Sequence, residues 1–347
     1  MTDGHGDDLH QYDDIRANFS SNVYAHFDHS GLTASLAARL PDIVSYPQPT
    51  PRAAERAVAA ALGLSADEVI VTSGATEAIY LAASTFRGSL SVVVTPTFSE
   101  YADACRMYGH RVVSISALAH VPHDAQLVWL CNPNNPTGTT HDKADLLNAV
   151  DARPDTLFVI DASYAHFTRR PVVTPGEAVG LRNVLMLHSM TKTFAVPGLR
   201  IGYVTGNPQL LGRLRSHRAP WTVNSLAQHA CEYLMAHRDD YVLPVDSLLQ
   251  ERQRVSRLLA GTGRVAPMPS DTHMLLCRLV SGSAGALKDH LARREGLLIR
   301  DASNFDGLDD RYFRIAVQTA AENDRLVAAI DRWTAHEADP ENHPTRP

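Results

Sequence analysis

Short runs of consecutive apolar and β-branched residues recur through the middle of the chain, at 69–71, 92–95, 112–115, 127–130, 158–160, 184–187 and 201–204. Their hydrophobic positions are continuous rather than alternating, the pattern of strands covered on both faces. Between them, apolar residues at helical spacing predict helices over 52–62, 75–86, 100–108 and 142–150. Alternation of buried strands with helices implies an α/β fold with a mostly parallel sheet. Past about Pro208 the pattern changes to longer amphipathic helices, 224–236 and 245–259. They are followed by an apolar stretch at 272–279, a helix near 284–294, a strand at 297–300 and another at 312–317. We therefore expect an N-terminal arm over 1–45, a large α/β unit over 46–210, a smaller α+β unit over 211–335 and a polar, disordered tail over 336–347.

A chain of 347 residues is long enough for two cores. Its four cysteines, Cys105, Cys131, Cys231 and Cys277, are widely spaced, form no Cys-x-x-Cys pair and read as thiols of a reducing compartment. The N-terminus lacks a basic region followed by an apolar one, and no apolar run reaches the roughly 20 residues of a membrane span, so a cytoplasmic location is expected. A net charge of −6 without a dense basic run argues against a nucleic-acid partner. His120 and His123 flank Pro122 in a connecting segment and read as solvated, so no metal site is expected.

Only three lysines, Lys143, Lys192 and Lys288, occur among 32 basic residues, which draws attention to chemistry that arginine cannot perform. A lysine amine whose pKa is lowered by its surroundings can condense with a carbonyl; a guanidinium cannot. Lys143 and Lys288 lie in polar helical stretches and are expected at the surface, whereas Lys192 follows the apolar strand at 184–187. Three other motifs fall at strand ends. Ser73-Gly74-Ala75-Thr76-Glu77 opens a helix after a buried strand, where backbone amides make an anion site or simply a capped terminus. Cys131-Asn132-Pro133-Asn134-Asn135-Pro136-Thr137-Gly138 is either a tight turn or a ligand loop at the sheet's carboxyl edge. Asp161, with Tyr164 three residues on, reads as a functional acid in this company.

Taken together, these elements resemble the fold-type I pyridoxal-5′-phosphate enzymes of the class I and II aminotransferase group, over nearly the whole chain. The resemblance implies that Lys192 condenses with the cofactor's aldehyde and that Asp161 pairs with its pyridine nitrogen. It implies that Asn135 and Tyr164 hydrogen-bond the ring's phenolic oxygen and that Phe98 stacks on its face. The phosphate would rest at Gly74, on the Ala75 and Thr76 amides, and on Ser189, Thr191 and Arg200. Tyr46, in Ser45-Tyr46-Pro47, would reach the phosphate held by a second subunit, which implies a homodimer. Where these relatives read Asp-Glu-Ala-Tyr or Asp-Glu-Ala-Phe, this chain has Asp161-Ala162-Ser163-Tyr164, keeping the acid and the aromatic.

The run from Leu298 to Val317 resembles the L-threonine-O-3-phosphate decarboxylases of cobalamin biosynthesis, near relatives of histidinol-phosphate aminotransferases. By that resemblance His5, Gly6, Asn22, Asn135, Arg300 and Arg314 would hold the phosphate and carboxylate of a small phosphorylated amino acid. Val23-Tyr24-Ala25-His26 and Gln318 depart from the decarboxylase pattern. Loss of CO2 with formation of 1-aminopropan-2-ol phosphate is the expected reaction, and amino transfer to 2-oxoglutarate is the alternative. Ser189-Met190-Thr191-Lys192 also fits the Ser-x-x-Lys pattern of penicillin-binding enzymes, but the partner Ser-Asp-Asn and Lys-Thr-Gly motifs are absent. A regulator on the same fold would need a basic DNA-binding module, and the stretch before Tyr46 is short and not basic.

Overall fold

The computed structural model describes residues 7–337. Seven strands, β1 (Val69–Thr72), β2 (Leu90–Val94), β3 (Arg111–Ile115), β4 (Leu127–Cys131), β5 (Leu157–Asp161), β6 (Val184–Ser189) and β7 (Gly202–Gly206), form one sheet in the order β1-β7-β6-β5-β4-β2-β3. All pairings are parallel except those of β7, which runs against both β1 and β6. Six strands bury every residue, as continuous hydrophobicity requires; β3, at the edge, is half-exposed. Helices Arg52–Leu62, Gly74–Thr85, Glu100–Met107 and Lys143–Asp151 match the predicted ones to within a residue at each end.

A second sheet is antiparallel throughout, with β8 (Val265–Pro267), β9 (Met274–Leu279), β10 (Arg300–Asp301) and β11 (Tyr312–Ala316) in the order β10-β11-β9-β8. Helices Val245–Gly261 and Ala320–Glu337 pack together with this sheet. The second of these was not expected, although its start carries a reciprocal cap. Thr319 N–H donates to Glu322 at 3.0 Å, and the Glu322 amide returns a bond to Thr319 Oγ1 at 3.4 Å. Leu326, Ala329, Ile330 and Trp333 then bury one helical face. The helix includes 336 and 337, the first two positions of the expected tail; 338–347 lie outside the described residues. Helices Ser30–Ala38 and Pro208–His217 were likewise not anticipated.

The strand expected at 297–300 is divided. Leu297–Leu298 pairs in parallel with Ala17–Asn18, and Arg300–Asp301 joins the antiparallel sheet. The chain changes partners here because the N-terminal arm is wedged between them. Phe19 is fully buried, its N–H donates to the Leu298 carbonyl at 2.8 Å, and its carbonyl accepts from Ala316 N–H at 2.9 Å. The expected helix at 284–294 is α-helical over Ala284–His290, widens to a π turn at Leu291–Glu295 and ends on Gly296 at φ +67°. Lys288 is not a surface charge: its side chain is 12% exposed, ion-paired with buried Asp8 and lying 5.6 Å over the Tyr12 ring, which ties the arm to this helix. All four cysteines are free and buried. Among the described residues no helix is long and apolar enough to cross a membrane.

Candidate active site

The carboxyl ends of β4, β5 and β6 open into a cavity of about 680 Å³, lined also by Arg300 and Arg314 of the second sheet and by Ser20, Ser21 and Asn22 of the arm. Lys192 enters from the four-residue helix Met190–Thr193 that follows β6. Its Nζ donates to the Ser21 carbonyl at 2.7 Å. Burial, and then the Arg314 guanidinium, lower its pKa to about 8; Asp7 and Asp161 pull the other way. A neutral amine, the form that attacks carbonyls, is therefore accessible near physiological pH.

Asp161 is the last residue of β5 and is 5% exposed. Tyr101 Oη donates to its Oδ2 at 2.7 Å and the Ser163 amide to its Oδ1 at 2.9 Å. Burial pushes its carboxyl up, while the Ser163 and Tyr101 hydrogen bonds and Lys192 hold it down. Among the described residues it has no cation within ion-pair distance. A buried carboxylate held in place by donors and left without a counter-charge fits a protonated ring nitrogen as its missing partner.

Beside it Tyr164 Oη, its phenol pushed up to about 12 by burial, accepts from Asn22 Nδ2 at 3.1 Å. Asn135 Oδ1 accepts from Arg314 Nη1, and Arg314 Nη2 donates to the Ser20 carbonyl. Phe98 lines the cavity, with its ring centroid 5.9 Å from that of Tyr101 and nearly perpendicular to it. Arg300 Nη2 donates to Asn304 Oδ1 at 2.7 Å, and its guanidinium lies 5.4 Å over the Phe305 ring.

Ala75 and Thr76 occupy the first turn of helix Gly74–Thr85, with Ser189 and Thr191 facing them; the two hydroxyls are 2.6 Å apart. Arg200, in the left-handed region at φ 54°, turns its guanidinium against Gly74. Gly74 itself is at φ +72°, and a Cβ there would lie 2.8 Å from Arg200 Nη2. A helix N-terminus, two hydroxyls and a guanidinium around one point could hold a phosphate.

Thirteen of the anticipated residues thus line one cavity, and Gly74 adjoins it through Arg200. Tyr46 takes no part in its own chain's cavity: it is 89% exposed and packs against Trp221, with ring centroids 5.8 Å apart. His5 and Gly6 lie outside the described residues. Sequence reasoning missed Tyr101, Asp7, Ser20 and Ser21. Tyr101 had a signal, standing one helical turn after Phe98; Ser20 and Ser21 act through carbonyls, which leave none.

A depressed lysine, an unpaired carboxylate at the neighbouring strand end and an anion cradle together define a site for a phosphorylated aldehyde with a basic ring nitrogen. The chain matches the family described as aminotransferase class I and II over residues 15–330. It is 33% identical over 329 residues to a histidinol-phosphate aminotransferase of Mycobacterium tuberculosis, covering 91% of this chain and 87% of that one. The crystal structure of L-threonine-O-3-phosphate decarboxylase from Porphyromonas gingivalis superposes with a TM-score of 0.89 at 35% identity, over 92% of this chain and 99% of that one. Histidinol-phosphate aminotransferase from Sinorhizobium meliloti, solved in complex with pyridoxal-5′-phosphate, shares the fold at 22% identity and a TM-score of 0.83, over 95% of this chain and 94% of that one. The protein belongs to the class I and II aminotransferase family. It is an enzyme of that family, and its cofactor is pyridoxal 5′-phosphate.

Proposed function

We propose that this enzyme decarboxylates L-threonine-O-3-phosphate, or a similar phosphorylated amino acid, to 1-aminopropan-2-ol phosphate and CO2. The observation that carries the reading is the pair Arg300 and Arg314. Both guanidiniums are buried in the cavity wall with amide, carbonyl and ring partners, and neither is ion-paired to a carboxylate among the described residues. Two such cations suit a substrate carrying two anionic groups on a short skeleton.

When bound, pyridoxal 5′-phosphate supplies an electron sink for whichever bond at the substrate's Cα stands perpendicular to its ring. In our reading Lys192 anchors it, Asp161 keeps its ring nitrogen protonated, Asn135 and Tyr164 fix its phenolic oxygen, and Asn22 joins the substrate pocket. Gly74, Ala75, Thr76, Ser189, Thr191 and Arg200 hold its phosphate and Phe98 covers its face. Arg314, bonded to Asn135, and Arg300 set the rotation about the substrate's N–Cα bond by anchoring its carboxylate and phosphate. His5 and Gly6 would complete that pocket. That rotation would favour loss of the carboxylate as CO2, and Lys192 would supply the proton that replaces it at Cα. Residues 46–210 hold the cofactor and 211–335 close over the substrate. The exposed Leu40, Ile43, Val44, Tyr46 and Trp221 support a homodimer in which Tyr46 serves the second subunit's site. We place the enzyme in the cytoplasm.

The second reading is transamination of the histidinol-phosphate type, favoured by the 33% identical mycobacterial relative. There the two arginines would hold the carboxylate in place and Lys192 would remove the Cα proton instead. Purified enzyme with L-threonine-O-3-phosphate, assayed for CO2, and with histidinol phosphate plus 2-oxoglutarate, assayed for glutamate, separates the two. CO2 without glutamate supports decarboxylation; glutamate without CO2 overturns it.

A further inference from the structure

Tyr101 is 1% exposed and lies between two groups that bear on the cofactor. Its hydroxyl is 2.7 Å from Asp161 Oδ2, and its ring meets the Phe98 ring edge-on at 5.9 Å. Its ring also stacks on fully buried Trp129, with centroids 5.9 Å apart and planes 19° apart. Burial with these two ring contacts restricts the phenol's direction. Asp161 has two oxygens: one is taken in part by the Ser163 amide, the other by Tyr101. Each carboxylate oxygen has two lone pairs, so both bonds leave the carboxylate free to accept a further N–H.

We propose that Tyr101 is a positioning residue that keeps Asp161 ionised and aimed at the cofactor's ring nitrogen, and that couples this aim to the Phe98 face above the ring. The inference rests on the cofactor site and is independent of which product the enzyme releases. Physically, burial disfavours the charged carboxylate, and a neutral phenol donor restores part of what water would have supplied. The phenol is itself pushed far up by burial and by Asp161, so it remains a donor at every working pH. The titratable groups facing Asp161 are Tyr101 from helix Glu100–Met107, Cys131 from the end of β4, Tyr164 beyond β5 and Lys192 after β6. Cys131 is also pushed up and stays neutral, which leaves Ser163, Tyr101 and Lys192 to hold the charge.

The test uses full-length protein stripped of and then reloaded with cofactor. Tyr101→Phe keeps the stack and removes only the donor. It should weaken cofactor binding about tenfold, the scale of one hydrogen bond to a charged group. It should also move the acid limb of the loaded enzyme's visible absorption titration upward by about one pH unit, since a carboxylate deprived of a donor protonates more readily. Turnover number should fall with KM little changed. Site-specific 3-fluorotyrosine at position 101, a stronger donor of nearly the same shape, should move the same limb downward. A purely structural Tyr101 would lower the melting temperature of Tyr101→Phe yet leave cofactor affinity and the limb in place; that result overturns the proposal. Should Tyr101→Phe fail to fold, an unmoved limb in the fluorotyrosine protein overturns it equally.

Discussion

Two arginines with buried side chains, one bonded to the strand and helix that carry the phosphate cradle and one in the cavity wall, are treated differently. Arg218 has a side chain 5% exposed. It is paired with Glu55 at 3.3 Å and Glu77 at 3.8 Å, and donates to the Val71 carbonyl at 2.6 Å. Glu77 in turn accepts from the Ser73 amide and Glu55 also meets Arg52 and Arg215, so every charge of this brace has a partner of opposite sign and the turn into helix Gly74–Thr85 is pinned. Arg314, 3% exposed, faces the cavity and among the described residues meets no carboxylate. Burial lowers its pKa to about 10, Arg300 adds to that, and only the Tyr164 phenol opposes it. A folded chain tolerates an uncompensated buried cation only where something else later supplies the anion. The brace is built for stability and the cavity wall for a ligand.

The sharpest way to test that division is Lys192→Ala. Removing a desolvated amine should cut turnover about ten-thousandfold while leaving the melting temperature of the cofactor-free protein unchanged or higher. Retained turnover with a normal lysine-bound cofactor spectrum would break the cofactor assignment itself. Next comes a matched pair. Arg314→Met should lower kcat/KM about a hundredfold or more without loss of stability in the free enzyme. Arg218→Met should cost about 3 kcal/mol in denaturant unfolding, because fully buried Glu55 is left with fewer partners. If the two variants lose stability equally, the contrast between the regions is wrong.

A smaller effect is read in pH. Below a pKa of about 8 the Lys192 amine is mostly protonated, so cofactor capture by the stripped protein should slow about tenfold per pH unit on the acid side and level off above about 8. Capture independent of pH between 6 and 9 would mean that the amine is not desolvated. The smallest effect falls at the junction between brace and cavity. Gly74→Ala forces a side chain onto a left-handed backbone and against Arg200. A loss of about 1–2 kcal/mol, with cofactor affinity reduced several-fold, is expected by calorimetry and equilibrium titration.

The contrast also marks what the sequence made legible. Asp161, Asn135, Ser189 and Lys192 were found because a parallel sheet delivers its strand ends to one edge, so local patterns map directly onto a shared site. Arg300 and Arg314 sit opposite each other in the antiparallel register of β10 and β11, and the resemblance of that run to the phosphate-recognising decarboxylases brought them in together. The arm was harder. Its strand is two residues long, and its contributions to Lys192 and Arg314 are backbone oxygens, invisible to any reading of side chains. The Glu55, Glu77 and Arg218 brace was silent for another reason: its members are 22 to 163 positions apart, and ordinary charges in helices do not announce their partners.

That wall of carbonyls bears on how such an enzyme can change over time. Because Ser20 and Ser21 meet Arg314 and Lys192 through the main chain, exchanging either side chain leaves the contact standing. Inserting or deleting a single residue between Phe19 and Asn22 is another matter. It would shift the bend at 19–21 and the left-handed turn at Asn22, φ 56°, out of step with the site and carry those oxygens away from the two cations. Lineages descended from this chain are therefore free to vary the letters of the segment while its length stays frozen.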